Sequence, residues 1–303
     1  MKRILFFCLV VFIAQNSFAN SIDSLKTDND VVQFLKRINE DFRSTKFKPI
    51  ELRSTETLRK ELDCGGISDK WQVNNWEKVD LNGDGRTDLL VQLYWYDYGV
   101  YVVMDKGNGS FKLHTLSYNI YEKCELAKPY RSGDQQFLLF YEGKQMKDKN
   151  GNNTRLFSQI DTLVYKYGGF VENNLAPSNY SIDSITFHTS ACYGSCPVFS
   201  ITMDKNGNAK YDAQVYNPKQ GKFSATIDRP NMDNITGLIN YISVKKLKND
   251  YKVDWTDDQT CWLDVKFSDG SVKTIKDYGL KATAGLRLLY SFFFDLRNNQ
   301  NWK

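Results

Sequence analysis

The stretch Asp80-Leu-Asn-Gly-Asp-Gly-Arg-Thr-Asp88 places Asp80, Asn82, Asp84 and Asp88 at loop positions one, three, five and nine. Calcium takes six to eight hard oxygen ligands at about 2.3 to 2.6 Å, so these side chains and the Arg86 backbone carbonyl form a candidate Ca2+ site. Gly83 and Gly85 permit the sharp turning. An EF-hand carries a bidentate Glu at the twelfth position; here that position is Val91, inside the apolar run Leu89-Leu-Val-Gln-Leu93, so the loop is not an EF-hand. The same residues also read as a bare tight turn, because Asn82-Gly83 and Asp84-Gly85 are strong hairpin signals. A poorer echo at Asp204, Asn206, Asn208 and Asp212 has one carboxylate fewer and reads as a turn.

Sulfur is the second chemically capable set. Lys2 and Arg3 precede the apolar run Ile4 to Ala14, and Ser17-Phe18-Ala19 follows as a small-x-small site, which predicts an export leader at 1–19 cleaved after Ala19. Cys8 departs with it, leaving Cys64, Cys124, Cys192, Cys196 and Cys261 in an oxidising compartment, periplasmic or extracellular. Five choices of free thiol, each with three pairings, leave the connectivity open from spacing alone. Domain placement favours Cys64 with Cys124 and Cys192 with Cys196, with Cys261 a buried single thiol. On the chain-entropy relation the long loop contributes roughly 4 kcal/mol and the short one roughly 2. A bridge that stabilises so little raises the question of what else it does.

The frame around Asp80 resembles the calcium-loop hairpins of FG-GAP and VCBS-type repeats over about Trp76 to Val91, where an Asp-x-Asn-x-Asp-Gly-x-x-Asp loop leads into an apolar strand. Only one good copy is present, so no propeller is expected. Further on, Ala191-Cys-Tyr-Gly-Ser-Cys-Pro-Val-Phe-Ser-Ile201 resembles a domain of unknown function in secreted bacterial proteins, marked by Cys-x-Gly-x-Cys-Pro. Thr256-Asp257 and a two-helix ending fit the same pattern over roughly Ser181 to Arg297. That resemblance implies a fold unit and no assigned chemistry; Cys261 departs from the pattern.

These groups need elements to hold them. The 303 residues are 41% hydrophobic and 14% aromatic, enough for folded cores. Val31, Leu35, Ile38 and Phe42 form one helix stripe, capped by Asp28 or Asp30. From Trp71 the pattern changes to strands: Leu89 to Tyr96, Val100 to Met104, Phe111 to Leu116, Gln136 to Tyr141 and Thr162 to Tyr167, separated by turns such as Asp148-Lys-Asn-Gly151. Leu175-Ala-Pro-Ser-Asn179 is the best linker. Beyond it come four strands, a helix from about Pro230, two strands flanking Asp269-Gly270, and a final helix near Thr283 to Arg297. The expected class is α+β: a β-rich domain with a leading helix at 20–177, then an antiparallel sheet with two helices on one face at 178–303.

Several functions are disfavoured by composition. The formal charge of +4 falls to +2 once Lys2 and Arg3 leave, with no block of like charge, so nucleic acid is not implied. The longest later apolar stretch, Leu286 to Leu296, is broken by Arg287, Ser291 and Asp295, so no membrane span is expected. No Gly-x-Ser-x-Gly elbow, metalloprotease helix or phosphate loop occurs. Redox use of Cys192 and Cys196 lacks the helix amino terminus that lowers a thiol pKa, because Val198 to Met203 reads as strand. His188 lies roughly 13 Å from Cys192 along an extended chain, and His114 reads as a sheet-surface residue. Tyr94, Tyr96 and Tyr98 share one strand face and offer an aromatic platform for a sugar or peptide, or packing within the sheet. The expectation is an exported, non-enzymatic binding or structural module for an unknown extracellular or periplasmic ligand, stabilised by calcium and disulfides. The alternative is a thiol-disulfide oxidoreductase.

Overall fold

The computed structural model describes residues 21–117, 123–147 and 153–303. The expected export leader with Cys8, and the turn expected at Asp148-Lys-Asn-Gly151, lie outside the described residues.

Helix α1 (Asp28–Ile38) begins at Thr27, whose hydroxyl accepts the Asp30 N–H at 3.2 Å while the Asp30 carboxylate accepts the Thr27 N–H at 2.9 Å. This reciprocal box satisfies two otherwise orphaned donors, so the cap is Thr27 rather than Asp28 or Asp30. The stripe through Phe42 is not one helix. Asn39 is extended (φ −129°, ψ 126°) and caps a second short helix, α2 (Glu40–Arg43), from which Phe42 reaches the same core as Val31, Phe34 and Leu35. Helices α3 (Thr55–Glu61) and α4 (Ile67–Lys70) follow. Both are too short to show a stripe in sequence.

Strands β1 (Trp76–Val79), β2 (Asp88–Trp95), β3 (Asp97–Gly107) and β4 (Ser110–Thr115) form an antiparallel sheet in that order. Strand β2 is buried on both faces, which explains its unbroken apolar run. Leu89, Val91 and Leu93 face α1, whereas Leu90 joins Val100, Val102 and Met104 against a second sheet. That sheet runs β5 (Lys123–Ser132), β6 (Gln135–Lys147), β7 (Asn153–Lys166) and β8 (Gly169–Glu172), also antiparallel, and supplies Ala127, Leu138 and Phe140 to the shared core. His114 is half-buried between the sheets, edge-on to Tyr165 and Phe170, rather than out on a sheet surface.

The third sheet contains β9 (Ile182–Thr189), β10 (Phe199–Asp204), β11 (Asn208–Ala213), β12 (Gly221–Thr226), β13 (Asp250–Lys252), β14 (Thr260–Phe267) and β15 (Val272–Tyr278). Its spatial order is β12-β11-β10-β9-β14-β15-β13. Every pair is antiparallel except β13 with β15, which is parallel, so this sheet is mixed rather than purely antiparallel. Three residues are too few for β13 to be read in sequence. Helices α5 (Arg229–Tyr241) and α6 (Ala284–Asn299) contribute Ile235, Leu238, Leu289 and Phe293 to one cluster with Phe187, Phe199 and Leu263. Phe187 and Phe293 stack at 4.8 Å. Val171 of β8 belongs to the same cluster, so the last core takes in a residue from before the expected Leu175-Ala-Pro-Ser-Asn179 linker. The described residues are α+β, with more strand than helix.

Candidate functional site

The register brings one end of β9, β10, β11, β12 and β14 together, and with it the loops 190–198, 214–220 and 253–259. The first loop carries the Cys192–Cys196 disulfide, with Cα atoms 5.7 Å apart. Its base is tied from beneath. The buried Gln259 amide donates to the Ser190 and Pro197 carbonyls, both at 2.8 Å, and the Thr189 hydroxyl donates to the Pro197 carbonyl at 2.7 Å. The Ser190 N–H donates to the Thr260 carbonyl at 2.9 Å, and the Ser190 hydroxyl accepts the Thr260 N–H at the same distance.

The neighbouring loops are fastened to the first. Val198 N–H donates to the Val215 carbonyl at 2.9 Å, and Gln214 N–H donates back to Val198 at 3.0 Å. The Asn217 amide donates to both carbonyls, and Arg297 from α6 donates to the Asn217 oxygen at 3.2 Å. On the other side, Tyr193 N–H donates to the Asp257 carbonyl at 2.9 Å. Above this braced backbone Tyr193 is 91% exposed, Tyr216 59% and Val215 45%. Large apolar side chains on a fixed backbone lose little conformational freedom on contact, which is how binding surfaces gain affinity. Sequence reasoning flagged the short bridge but missed Tyr193, Tyr216 and Gln259; the only available signal was that a five-residue disulfide loop contributes little to stability.

The acidic loop lies between β1 and β2. Asp80 accepts the N–H groups of Gly83 and Gly85 at 2.8 Å, and Asp84 accepts the Arg86 N–H at 2.9 Å. The Arg86 guanidinium pairs with Asp84 and also donates to the Asp105 carbonyl at 3.2 Å. Asp88 is fully buried at the start of β2, where it accepts the Leu81 and Asp105 N–H groups, each at 2.9 Å. Burial pushes its carboxyl up to about 6 against those two hydrogen bonds, and the Asp84 and Asp80 charges add to the rise. The loop is therefore satisfied internally, with Arg86 supplying positive charge beside Asp84. Among the described residues no group of three or more His, Cys, Asp and Glu side chains is gathered in metal-holding geometry. Asp80, Asn82 and Asp84 share one loop as oxygen donors, the ligand type a hard cation takes, and Asp84 is engaged by Arg86 and the Asn82 amide.

The tyrosine run does not form one strand face. Tyr96 sits in the left-handed region (φ 66°) at the turn between β2 and β3, so Tyr94 and Tyr98 become cross-strand partners with rings 5.2 Å apart. The Arg53 guanidinium lies 3.5 Å from the Tyr94 ring centre, and the Tyr98 hydroxyl donates to Glu61 at 2.7 Å. Tyr96 is exposed, with its hydroxyl accepting the Lys48 N–H at 3.2 Å.

Cys64 and Cys124 are bridged, with Cα atoms 5.4 Å apart, and join α4's amino-terminal approach to β5. Cys261 is a free thiol, fully buried in β14, and burial pushes its pKa upward. Neither Cys192 nor Cys196 adjoins a helix start; Cys196 leads through Pro197 and Val198 into β10. His188 stacks on Trp262 with ring centres 4.7 Å apart and an 11° tilt, and burial lowers its pKa. A further cleft of about 480 Å³ lies where β6, β7 and β8 meet β13 and α6, with Glu142 paired to Lys281 across it. No helix among the described residues is long and apolar enough to cross a membrane.

This geometry defines an α+β protein whose third sheet ends in a disulfide-braced loop rim. The family model described as a domain of unknown function (DUF6438) matches residues 183–297, which run from the start of β9 almost to the end of α6 and include the whole rim. No curated protein and no solved structure matches the chain.

Proposed function

We propose that this protein is an exported, non-enzymatic binding module whose recognition end is the rim formed by loops 190–198, 214–220 and 253–259. The observation that carries the reading is Tyr193, 91% exposed on a loop closed by Cys192–Cys196 and tied below by buried Gln259. Tyrosine is enriched among the residues that dominate binding energy, and a rigid support reduces the entropy lost on contact. The short bridge then has a purpose beyond its small stabilisation: it pre-organises the rim.

Calcium enters this reading as a staple on the first sheet. Asp80, Asn82, Asp84 and Asp88, with the Arg86 carbonyl, would hold it, and the gain would be rigidity at the start of β2. The competing reading, a thiol-disulfide oxidoreductase using Cys192 and Cys196, is disfavoured because the segment that follows them is a strand, so no helix dipole lowers the thiol pKa.

The test is a benzophenone amino acid placed at position 193, with a second version carrying it at exposed Leu175 as control, each irradiated in the native host. A covalent adduct at 193 that is absent at 175 supports the reading. Equal adducts, or none at 193, overturn it. Thiol trapping across glutathione buffers separates the enzyme: cycling of the bridge near oxidoreductase potentials would favour catalysis over binding.

A further inference from the structure

We propose that the cleft of about 480 Å³ between the second sheet and the third is a second binding site, and that it takes a small zwitterion: an ammonium at one end, a carboxylate at the other and an apolar body between them. The site is separate from the rim and does not depend on it. Its volume falls within the roughly 300 to 1,000 Å³ of small-molecule sites, which favour places where two packed units meet.

The charges of the cleft are sorted by wall. Strands β6, β7 and β8 line it with Glu142, Asp161 and Glu172 and with no Lys or Arg. The opposite wall, built from β13 and its approach, the turn after β15 and the start of α6, presents Lys248, Lys252, Lys281 and Arg287, with Asp250 as its one carboxylate. Some of these groups hold the fold. Glu142 pairs with Lys281, Glu172 accepts the Ala284 and Gly285 N–H groups, and Arg287 donates to the Ala282 carbonyl.

Asp161 is different. Among the described residues its carboxylate receives hydrogen bonds from the Gln159 amide of its own strand, 2.7 Å from each oxygen, and it has no ion-pair partner. It is half-buried and pairs across the strands with Phe140, which is in the shared core. Burial pushes its carboxyl upward, and the Glu172 and Glu142 charges add to the rise against the Gln159 hydrogen bond. A carboxylate held partly out of water with no cation of its own is unfavourable in the free protein, and a ligand ammonium relieves it. Lys248 and Lys252, exposed on the other wall, suit the carboxylate end. Buried Leu116, Phe140 and Leu163 supply the apolar lining between. A simple cation or a simple anion would suit one wall and be repelled by the other.

The experiment titrates the mature, disulfide-intact protein to millimolar concentration with L-leucine, leucyl-leucine, N-acetyl-leucine and leucinamide, and follows backbone amides by NMR. Leucine or leucyl-leucine is expected to move the amides of residues 159–163, 248–252 and 281–284; which of them binds more tightly tells a free amino acid from a dipeptide. N-acetyl-leucine, which lacks the ammonium, and leucinamide, which lacks the carboxylate, should each bind about tenfold more weakly or worse. Asp161→Asn should weaken the zwitterion about tenfold and also remove the discrimination against N-acetyl-leucine, a loss that a purely structural role for Asp161 would not produce. Unperturbed amides elsewhere report that the variant is folded. The proposal is overturned by no response to either zwitterion, by a capped compound binding as well as its parent, or by a response that Asp161→Asn leaves unchanged; the opposed charges would then serve only to hold the two sheets together. Crosslinking at position 193 reads the rim separately, so either site can fail without the other.

Discussion

Glu172, the last residue of β8, caps helix α6: its carboxylate accepts the Ala284 N–H at 2.5 Å and the Gly285 N–H at 3.0 Å. A negative charge at a helix amino terminus satisfies orphan donors and meets the positive end of the helix dipole. The contact links residues 112 and 113 positions apart, and it ties the second sheet to the helix that carries much of the last core. Glu172→Ala is expected to cost about 1 to 2 kcal/mol, and Glu172→Gln, which keeps an acceptor and loses the charge, about half of that. Urea denaturation checks both; a neutral Glu172→Ala would show that the cap does not stabilise the native state.

The two bridges should differ in worth. Cys64 and Cys124 are 60 residues apart, so replacing both with Ser is expected to destabilise by about 4 kcal/mol, whereas replacing Cys192 and Cys196, 4 apart, should cost about 2 kcal/mol or less. Denaturation midpoints of the two double variants, compared at equal slope, decide it. Equal losses would mean that the short bridge is a stability element and not a brace for the rim.

Calcium should raise the melting temperature of the wild-type protein, by the equivalent of roughly 1.4 kcal/mol at ten times the dissociation constant. Asp84→Ala is expected to abolish that shift, while also removing the Arg86 pair seen in the loop. A wild-type protein that melts at the same temperature with and without calcium removes the staple.

His114 sets a pH dependence. Burial between the sheets depresses its pKa to about 4, with the Lys112 and Lys106 charges acting in the same direction. The unfolded chain protonates near 6.5 while the folded protein stays neutral, so this group's stability is intact above that value and is lost as pH falls toward 4. Asp88 acts oppositely: its carboxyl is raised to about 6, so its contribution is present at low pH and lost as pH rises to that value. The difference between wild type and His114→Gln isolates the histidine and should change by up to about 2 kcal/mol between pH 7 and pH 5. A difference that does not move with pH would place His114 in contact with water.

Much of the last sheet was legible in sequence. The four strands, helix, two strands and final helix expected after the linker appear as β9 to β12, α5, β14 with β15, and α6, because period-2 and period-3.6 burial mark those segments locally. The cysteine pairs follow the order of the halves along the chain. The tyrosine platform was misplaced because alternation cannot show where a strand reverses; one residue in the left-handed region, Tyr96, turns a continuous face into a hairpin. His114 was misread because burial between two sheets leaves no periodic trace in the strand that carries it.

What the chain encodes by itself is local: which segments are strands and helices, where turns fall, and which side chains offer oxygen or sulfur. Those features depend on neighbours a few positions away, and so they survive in a linear reading. The partners were decided only when the sheets assembled. Gln259 under the disulfide loop, Asp257 beside Tyr193 and Glu172 on α6 are contacts across 60 or more positions, set by strand register and packing that no local pattern specifies.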